Sequence, residues 1–284
     1  MMLTQDQIQF YQQKGYLAVE DVIPADLLAD LRRVTDEFVE KSRSVTKHTE
    51  AFDLEPGHTP ENPRLRRIKS PGNQHAIYDQ AMRHPDILDI VGQLVGDGIR
   101  QNGHKLNMKY PKFGSPVQWH QDWAFYPHTN DDLLAVGIAL DDMTTENACM
   151  MIIPGSHKGR IYDHHQDGAF IGGVTEPDFK TDGEVPVEVK AGGISIHHAR
   201  ILHGSTLNKS DKPRRLFLIQ YCALDAWPIL GITEWDEFNA CILRGEPIHQ
   251  PRMTSVPIRI PRPYGERSGS IYEVQSVMDK PLYR

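Results

Sequence analysis

The sequence predicts a mainly β fold with flanking helices, its strands closed into a barrel or jelly roll, on three observations. Glycine and proline number 22 and 20 among 284 residues, a density of punctuation that suits short strands joined by turns better than long helices. Between residues 99 and 223 the chain breaks into short apolar runs at 106–110, 117–125, 134–140, 150–153, 187–189, 193–197 and 216–223, separated by turn residues. Helical periodicity, by contrast, is confined to roughly the first hundred residues. A chain of 32.3 kDa can bury one sizeable core. It is read as a single domain over 1–284, with a helical N-terminal part and long loop at 1–98, a jelly-roll core at 99–225 and a C-terminal extension at 226–284.

The elements follow in order. Thr4 and Gln7 form a capping box ahead of an amphipathic turn through Ile8, Phe10 and Tyr11, and Gly15 stops it. Residues 16–19 read as a strand. Pro24 then opens a helix whose Leu27, Leu28, Leu31, Val34 and Phe38 recur at helical spacing. Residues 41–83 are polar and weakly periodic, an extended loop region with at most short elements. A helix over 86–95 carries Ile87, Leu88, Val91, Leu94 and Val95 and closes at Gly96. The Pro- and Arg-rich tail from residue 226 has no periodicity and either wraps the barrel or covers its mouth.

Composition narrows the function. A net charge of −7 is the wrong sign for a protein that neutralises a phosphate backbone, so no nucleic-acid partner is expected. No apolar stretch reaches the roughly 18 residues of a membrane span, and no export segment is read at the start, so no membrane partner is expected either. Cys149, Cys222 and Cys241 are odd in number and form no CxxC pair, which fits a reducing cytoplasm and supports neither a disulfide framework nor a thiolate zinc site. The partner left is a small molecule; oligomeric state is not readable.

Histidine carries the chemistry. Four of the fourteen begin an H-x-[DE] triplet, at His48, His84, His120 and His165. On a strand, side chains two apart leave one face, so a His and a carboxylate at that spacing can grip one metal ion. Only His120 and Asp122 lie in a run of β-formers, 117–125; the others sit in polar loops or before a helix. A third ligand is offered by His203, 81 residues beyond Asp122. Two histidines and one carboxylate leave coordination positions open, the arrangement in which Fe(II) accepts an oxidisable cosubstrate and O2 together. His197 and His198 compete for the third place but read as packed or hydrogen-bonded core histidines. The same three donors also serve zinc, or a metal-binding module without turnover. Arg214, at the head of the apolar run 216–219, would be costly inside a barrel unless it met a carboxylate. Tyr126 is the aromatic candidate for a pocket wall, whereas regular alternation would send Trp123 and Phe125 to the face opposite His120. The basic run Arg64, Arg66, Arg67 and Lys69 reads as a solvated surface, with an anionic substrate group as the alternative.

From Leu3 to about Ala226 the chain resembles the phytanoyl-CoA dioxygenase family of Fe(II)- and 2-oxoglutarate-dependent oxygenases. The matching stretches are the opening from Leu3-Thr4 to Gly15-Tyr16-Leu17, Trp119-His120-Gln121-Asp122, the segment from Glu146-Asn147 to Gly155-Ser156-His157, and His203-Gly204-Ser205 followed by Arg214. The resemblance implies a double-stranded β-helix, cupin-like, in which His120, Asp122 and His203 bind iron. It implies that Arg214 and Ser205 hold the distal carboxylate of 2-oxoglutarate and that Asn107 contacts the cosubstrate. The implied reaction consumes O2, releases succinate and CO2, and hydroxylates an unactivated C–H of a small molecule. Asp122 fills the position where the related halogenating enzymes carry a small residue, which disfavours halogenation. Ala148 stands where glycine usually follows the asparagine, a departure that weakens the expectation of a tight turn there but touches no ligand.

Overall fold

The computed structural model describes residues 1–112, 114–260, 263 and 269–283. The N-terminal part comprises α1 (Gln5–Lys14), β1 (Tyr16–Val19), α2 (Ala25–Lys41), β2 (Phe52–Leu54), β3 (Leu65–Lys69), α3 (Pro71–Gln74), α4 (Ala76–Met82) and α5 (Pro85–Val95). The strands of the core follow: β4 (Ile99–Lys109), β5 (Val117–His120), β6 (Leu133–Ala139), β7 (Met150–Ile152), β8 (His165–Gln166), β9 (Ala169–Phe170), β10 (Val185–Val187), β11 (Ile194–His198), β12 (His203–Ser205) and β13 (Arg214–Ala223). The C-terminal part holds α6 (Trp235–Ala240), β14 (Ile242–Arg244) and α7 (Ile271–Gln275).

Local chemistry sets the ends of the first elements as read. Thr4 and Gln7 make both halves of the capping box on α1, and Gly15 takes the left-handed conformation (φ 80°) that ends it. All five residues of the predicted stripe on α2 are buried. Residues 41–83 are more structured than their polarity implies. β2 and β3 pair with each other, and β3 continues the sheet onto β4. The strand pattern was hidden because Arg66, Arg67 and Lys69 are cations within β3 itself.

The larger sheet runs β1-β11-β6-β13-β4-β3-β2, with β14 also on β4, and the smaller runs β10-β7-β12-β5. The pairings among these strands are antiparallel. Alternation along β13 sorts the two faces of the larger sheet. Phe217, Ile219 and Tyr221 turn toward the helices: Phe217 meets the Tyr78 ring of α4 edge-on at 5.3 Å, and the Tyr221 hydroxyl donates to the Met82 carbonyl at 2.9 Å. Leu216, Leu218 and Gln220 turn the other way, into a cavity closed on its far side by β5, β7 and β12. Leu31, Val34, Ile87, Ile90 and Val91 cover the outer face with under 2% of their surface exposed. Each such side chain contributes on the order of 1.5–3 kcal/mol relative to solvent. With helices on one face and the cavity on the other, both faces of the sheet are covered.

The tail covers the cavity. Gln118 of β5 receives the Tyr283 N–H on its Oε1 at 2.9 Å and donates Nε2 to the Tyr283 carbonyl at 2.7 Å, while the Gln118 N–H donates to Gln275 Oε1. These bonds bring Ile271 and Tyr272 of α7 onto the cavity wall. No helix among the described residues is long and apolar enough to cross a membrane.

Candidate active site

β12 pairs with β5 so that His203 lies directly opposite His120, and a separation of 83 residues in sequence is closed by one cross-strand pair. Both rings are fixed the same way. His120 Nδ1–H donates to the Gln118 carbonyl at 2.8 Å and His203 Nδ1–H to the Ile201 carbonyl at 3.1 Å, each two residues back. Tethering Nδ1 sets the tautomer and leaves both Nε2 lone pairs for a metal. The ring centroids are 4.0 Å apart.

Asp122 reaches the same point by a different route from the regular strand expected over 117–125. β5 stops at His120, and residues 122–124 form a tight helical turn. Gln121 keeps an extended backbone (φ −122°, ψ 123°), so the spacing of two still puts His120 and Asp122 on one side. Gln121 is fully buried and clamped: its Nε2 donates to the Arg160 and Arg200 carbonyls, its Oε1 accepts from Tyr162 N–H, and its own N–H donates to His164 Nε2. The turn also redirects the aromatics. Phe125 does not lie on the opposite face; its ring meets His120 edge-on at 5.9 Å. Trp123 is buried with Nε1 donating to the Pro257 carbonyl, and Tyr126 accepts from Gln220 Nε2 at 2.8 Å in a second, adjoining cavity.

The donor atoms of His120, Asp122 and His203 all lie within 4.8 Å of one another, and all three residues are buried. Burial by itself would raise the Asp122 carboxyl, but the adjacent His120 and His197 rings, with His203 and Lys105, outweigh it and hold the group well below the usual carboxylate range. Burial, reinforced by His120 and His197, holds His203 well below the ordinary histidine value. An ionised carboxylate at Asp122 and a neutral imidazole at His203 are the protonation states a metal requires. His197, set aside as a core histidine, is buried on β11 beside this cluster: its Nε2 is 3.5 Å from Asp122 Oδ2 and its ring 4.5 Å from that of His203. His198 points away, toward Asp131 and His157.

The same cavity holds the other predicted residues. Arg214 is 4% exposed; its Nε and Nη2 donate to the Ala148 carbonyl at 3.2 and 2.9 Å, and it faces no carboxylate among the described residues. Burial lowers its pKa for that reason. Ala148 has φ 65°, so the turn keeps the left-handed conformation despite lacking the usual glycine, and it presents the carbonyl that holds Arg214. Ser205 follows His203 by two residues and lines the cavity, as does Asn107, whose buried Oδ1 has no hydrogen-bond partner. Lys109 escaped the sequence reading. It is buried opposite Arg214 in the β4–β13 register and donates to the Ser205 and Thr206 carbonyls. Its alternation with Asn107 on β4 was the available signal.

The basic run divides. Arg66 stacks on Tyr272 at 4.6 Å, and Arg67 pairs with the wholly buried Asp53 at 2.7 Å, so neither is a solvated surface charge. Metal donors, an unsatisfied carboxamide and a buried cation without a counterion together fit an iron ion with a dicarboxylic acid.

A family model described as phytanoyl-CoA dioxygenase matches residues 11–216. The chain is 34% identical over 285 residues to the probable alpha-ketoglutarate-dependent hypophosphite dioxygenase of Stutzerimonas stutzeri, covering 98% of this chain and 99% of that one. It is 25% identical over 246 residues to the ectoine dioxygenase of Bordetella bronchiseptica, covering 78% and 76%. Among solved structures, the non-heme alpha ketoglutarate dependent carbocyclase SnoK from nogalamycin biosynthesis superposes with a TM-score of 0.65 at 25% identity, covering 87% of this chain and 94% of that one. The chain belongs to the phytanoyl-CoA dioxygenase family and is an iron- and 2-oxoglutarate-dependent dioxygenase acting on a small molecule.

Proposed function

We propose that His120 and His203, through Nε2, and Asp122 bind the iron, and that the distal carboxylate of 2-oxoglutarate rests on Arg214 and Ser205 with Asn107 against its body. In this reading the two sheets are the halves of a double-stranded β-helix, 1–284 works as one oxygenase domain in the reducing cytoplasm, and the product is a hydroxylated small molecule. The observation that carries it is the meeting of three buried metal donors and the uncompensated Arg214 in one cavity. Iron, when bound, supplies the activation of O2 coupled to decarboxylation of the cosubstrate to succinate. The chain's own part is positional. Gln118 and Ile201 carbonyls aim the imidazoles, the clamped Gln121 aims Asp122, the Ala148 carbonyl aims Arg214, and the strap of α7 excludes bulk water.

A metal-binding module without turnover has no use for a buried cation aimed at a carboxylate. A zinc hydrolase requires a general base near the metal, and Asp122 is the one carboxylate among the described residues lining the cavity. The test is anaerobic titration with Fe(II) and then 2-oxoglutarate. Wild type takes up one Fe(II) per chain and then binds 2-oxoglutarate; His203→Ala loses both. Stoichiometric Fe(II) retained by both His120→Ala and His203→Ala would remove the assignment.

A further inference from the structure

β4 presents Gly103, Lys105, Asn107 and Lys109 to the interior, and its direction orders the cavity. Lys109 pairs in register with Arg214 at the cosubstrate end. Lys105 lies four residues back, about 13 Å along a strand that rises ~3.3 Å per residue. It lines both the metal cavity and the adjoining outer cavity walled by Arg67, Tyr126 and Gln220.

The cations of this region differ in how they are spent. Arg214 donates to the Ala148 carbonyl, and Lys109 to the Ser205 and Thr206 carbonyls. Lys105 makes no hydrogen bond or ion pair with the described residues. Asp122, already committed to the metal, is the carboxylate whose charge acts on it, and Arg67 opposes it. Arg67 and Lys69 share the single carboxylate of Asp53, at 2.7 and 2.8 Å, and Arg67 Nε is buried without a partner. Lys109 adds a positive charge at the cosubstrate end that is spent on two carbonyls. Ferrous iron, the dianionic cosubstrate, Asp122 and Arg214 sum to zero, while the partly buried Lys105 and the Arg67–Lys69–Asp53 group each leave one positive charge at the adjoining outer cavity. Such a charge is costly unless an anion meets it.

We propose that Lys105 is the substrate-binding cation of this enzyme and that its substrate is a small oxyanion, of the phosphinate, phosphonate or carboxylate kind, seated between Lys105 and Arg67 beside the metal. The inference rests on the cosubstrate reading above, which assigns the opposite end of the cavity to 2-oxoglutarate. The substrate named for the Stutzerimonas relative, hypophosphite, is of this class.

The test uses the anaerobic Fe(II) and 2-oxoglutarate complex of the full chain, titrated calorimetrically with hypophosphite, methylphosphonate and acetate, and with neutral dimethylphosphine oxide as the uncharged counterpart. At least one anion binds wild type, at least about tenfold tighter than the neutral compound. Lys105→Met weakens that anion about tenfold or more and leaves 2-oxoglutarate affinity within roughly twofold, while Lys105→Arg restores most of the loss. Three results overturn the proposal: no anion binds the complex, anion affinity is equal in Lys105→Met, or Lys105→Met loses 2-oxoglutarate instead. If Lys105→Met does not fold, the anion preference of wild type and its persistence in Lys105→Arg decide the matter. Failure of wild type to bind 2-oxoglutarate at all would instead strike the cosubstrate reading, and it is read first in the same titration.

Discussion

Replacing Arg214 by methionine separates the role of its charge from that of its bulk. In the ligand-free protein the guanidinium is buried, held on one side by the Ala148 carbonyl, and faces no carboxylate among the described residues. The substitution therefore removes two hydrogen bonds but also an uncompensated buried cation. These effects oppose each other at about 1–3 kcal/mol each, and the apo protein stays folded. With 2-oxoglutarate the balance tips, because one or two charge-assisted hydrogen bonds of roughly 1.5–3 kcal/mol are lost outright. A loss of about 3 kcal/mol is a hundredfold in Kd. At a ligand concentration of about 100 wild-type Kd, binding stabilises wild type by ~2.7 kcal/mol and the variant by ~0.4 kcal/mol. At roughly 2–4 °C per kcal/mol, 2-oxoglutarate raises the wild-type Tm by about 5–10 °C and the variant's by about 1 °C. Thermal melts of anaerobic, metal-loaded protein with and without 2-oxoglutarate read this directly. A variant that keeps its 2-oxoglutarate shift within a degree or two of wild type would refute the assignment of Arg214.

Other consequences follow from the same geometry. Gln121→Ala leaves the carbonyls of Arg160 and Arg200 without its amide and frees the Asp122 turn; iron affinity falls tenfold to a hundredfold, as for other groups that orient metal ligands, with 2-oxoglutarate binding lost in parallel. Ala148→Val puts a β-branched residue at φ 65° and shifts the carbonyl that aims Arg214, so stability drops by about 1–3 kcal/mol and the 2-oxoglutarate Kd rises, whereas Ala148→Gly changes stability by less than about 1 kcal/mol. Acid stability is set in part by buried neutral histidines: burial pushes His128 down to about 4 and His164 down to about 3. Below the unfolded histidine value near 6.5, the unfolded chain takes up protons that the folded one refuses. Each group then subtracts up to about 1.4 kcal/mol per pH unit as pH falls from about 6.5 toward its folded value. Urea denaturation at pH 7 and pH 5 shows this loss, and a double His128→Gln, His164→Gln variant shows a flatter profile.

The periodic elements were legible because one physical pattern wrote them. The apolar stripe of α2 and the capping box of α1 sit where spacing and end chemistry put them. The ligand set was legible for a related reason, since His120 and Asp122 needed only local backbone and the His203 segment only one cross-strand pair. What escaped were features made by long-range contact. β3 hid behind cations that find Asp53 and Tyr272 only in the folded chain. Phe125 defied strand alternation because Gln121, anchored by carbonyls 39 and 79 residues away, ends β5 at His120. Lys105, Lys109 and His197 carry no motif; their place in the site comes from strand register alone.

The central claim is that His120, Asp122, His203 and Arg214 form one iron and 2-oxoglutarate site, and the most direct test is succinate formation. Fe(II)-reconstituted wild type, incubated in air with 2-oxoglutarate and the oxyanion that binds best, forms succinate with matched O2 consumption; His120→Ala and Arg214→Met each reduce the rate at least about a hundredfold. Succinate formed at the wild-type rate by both variants would contradict the account.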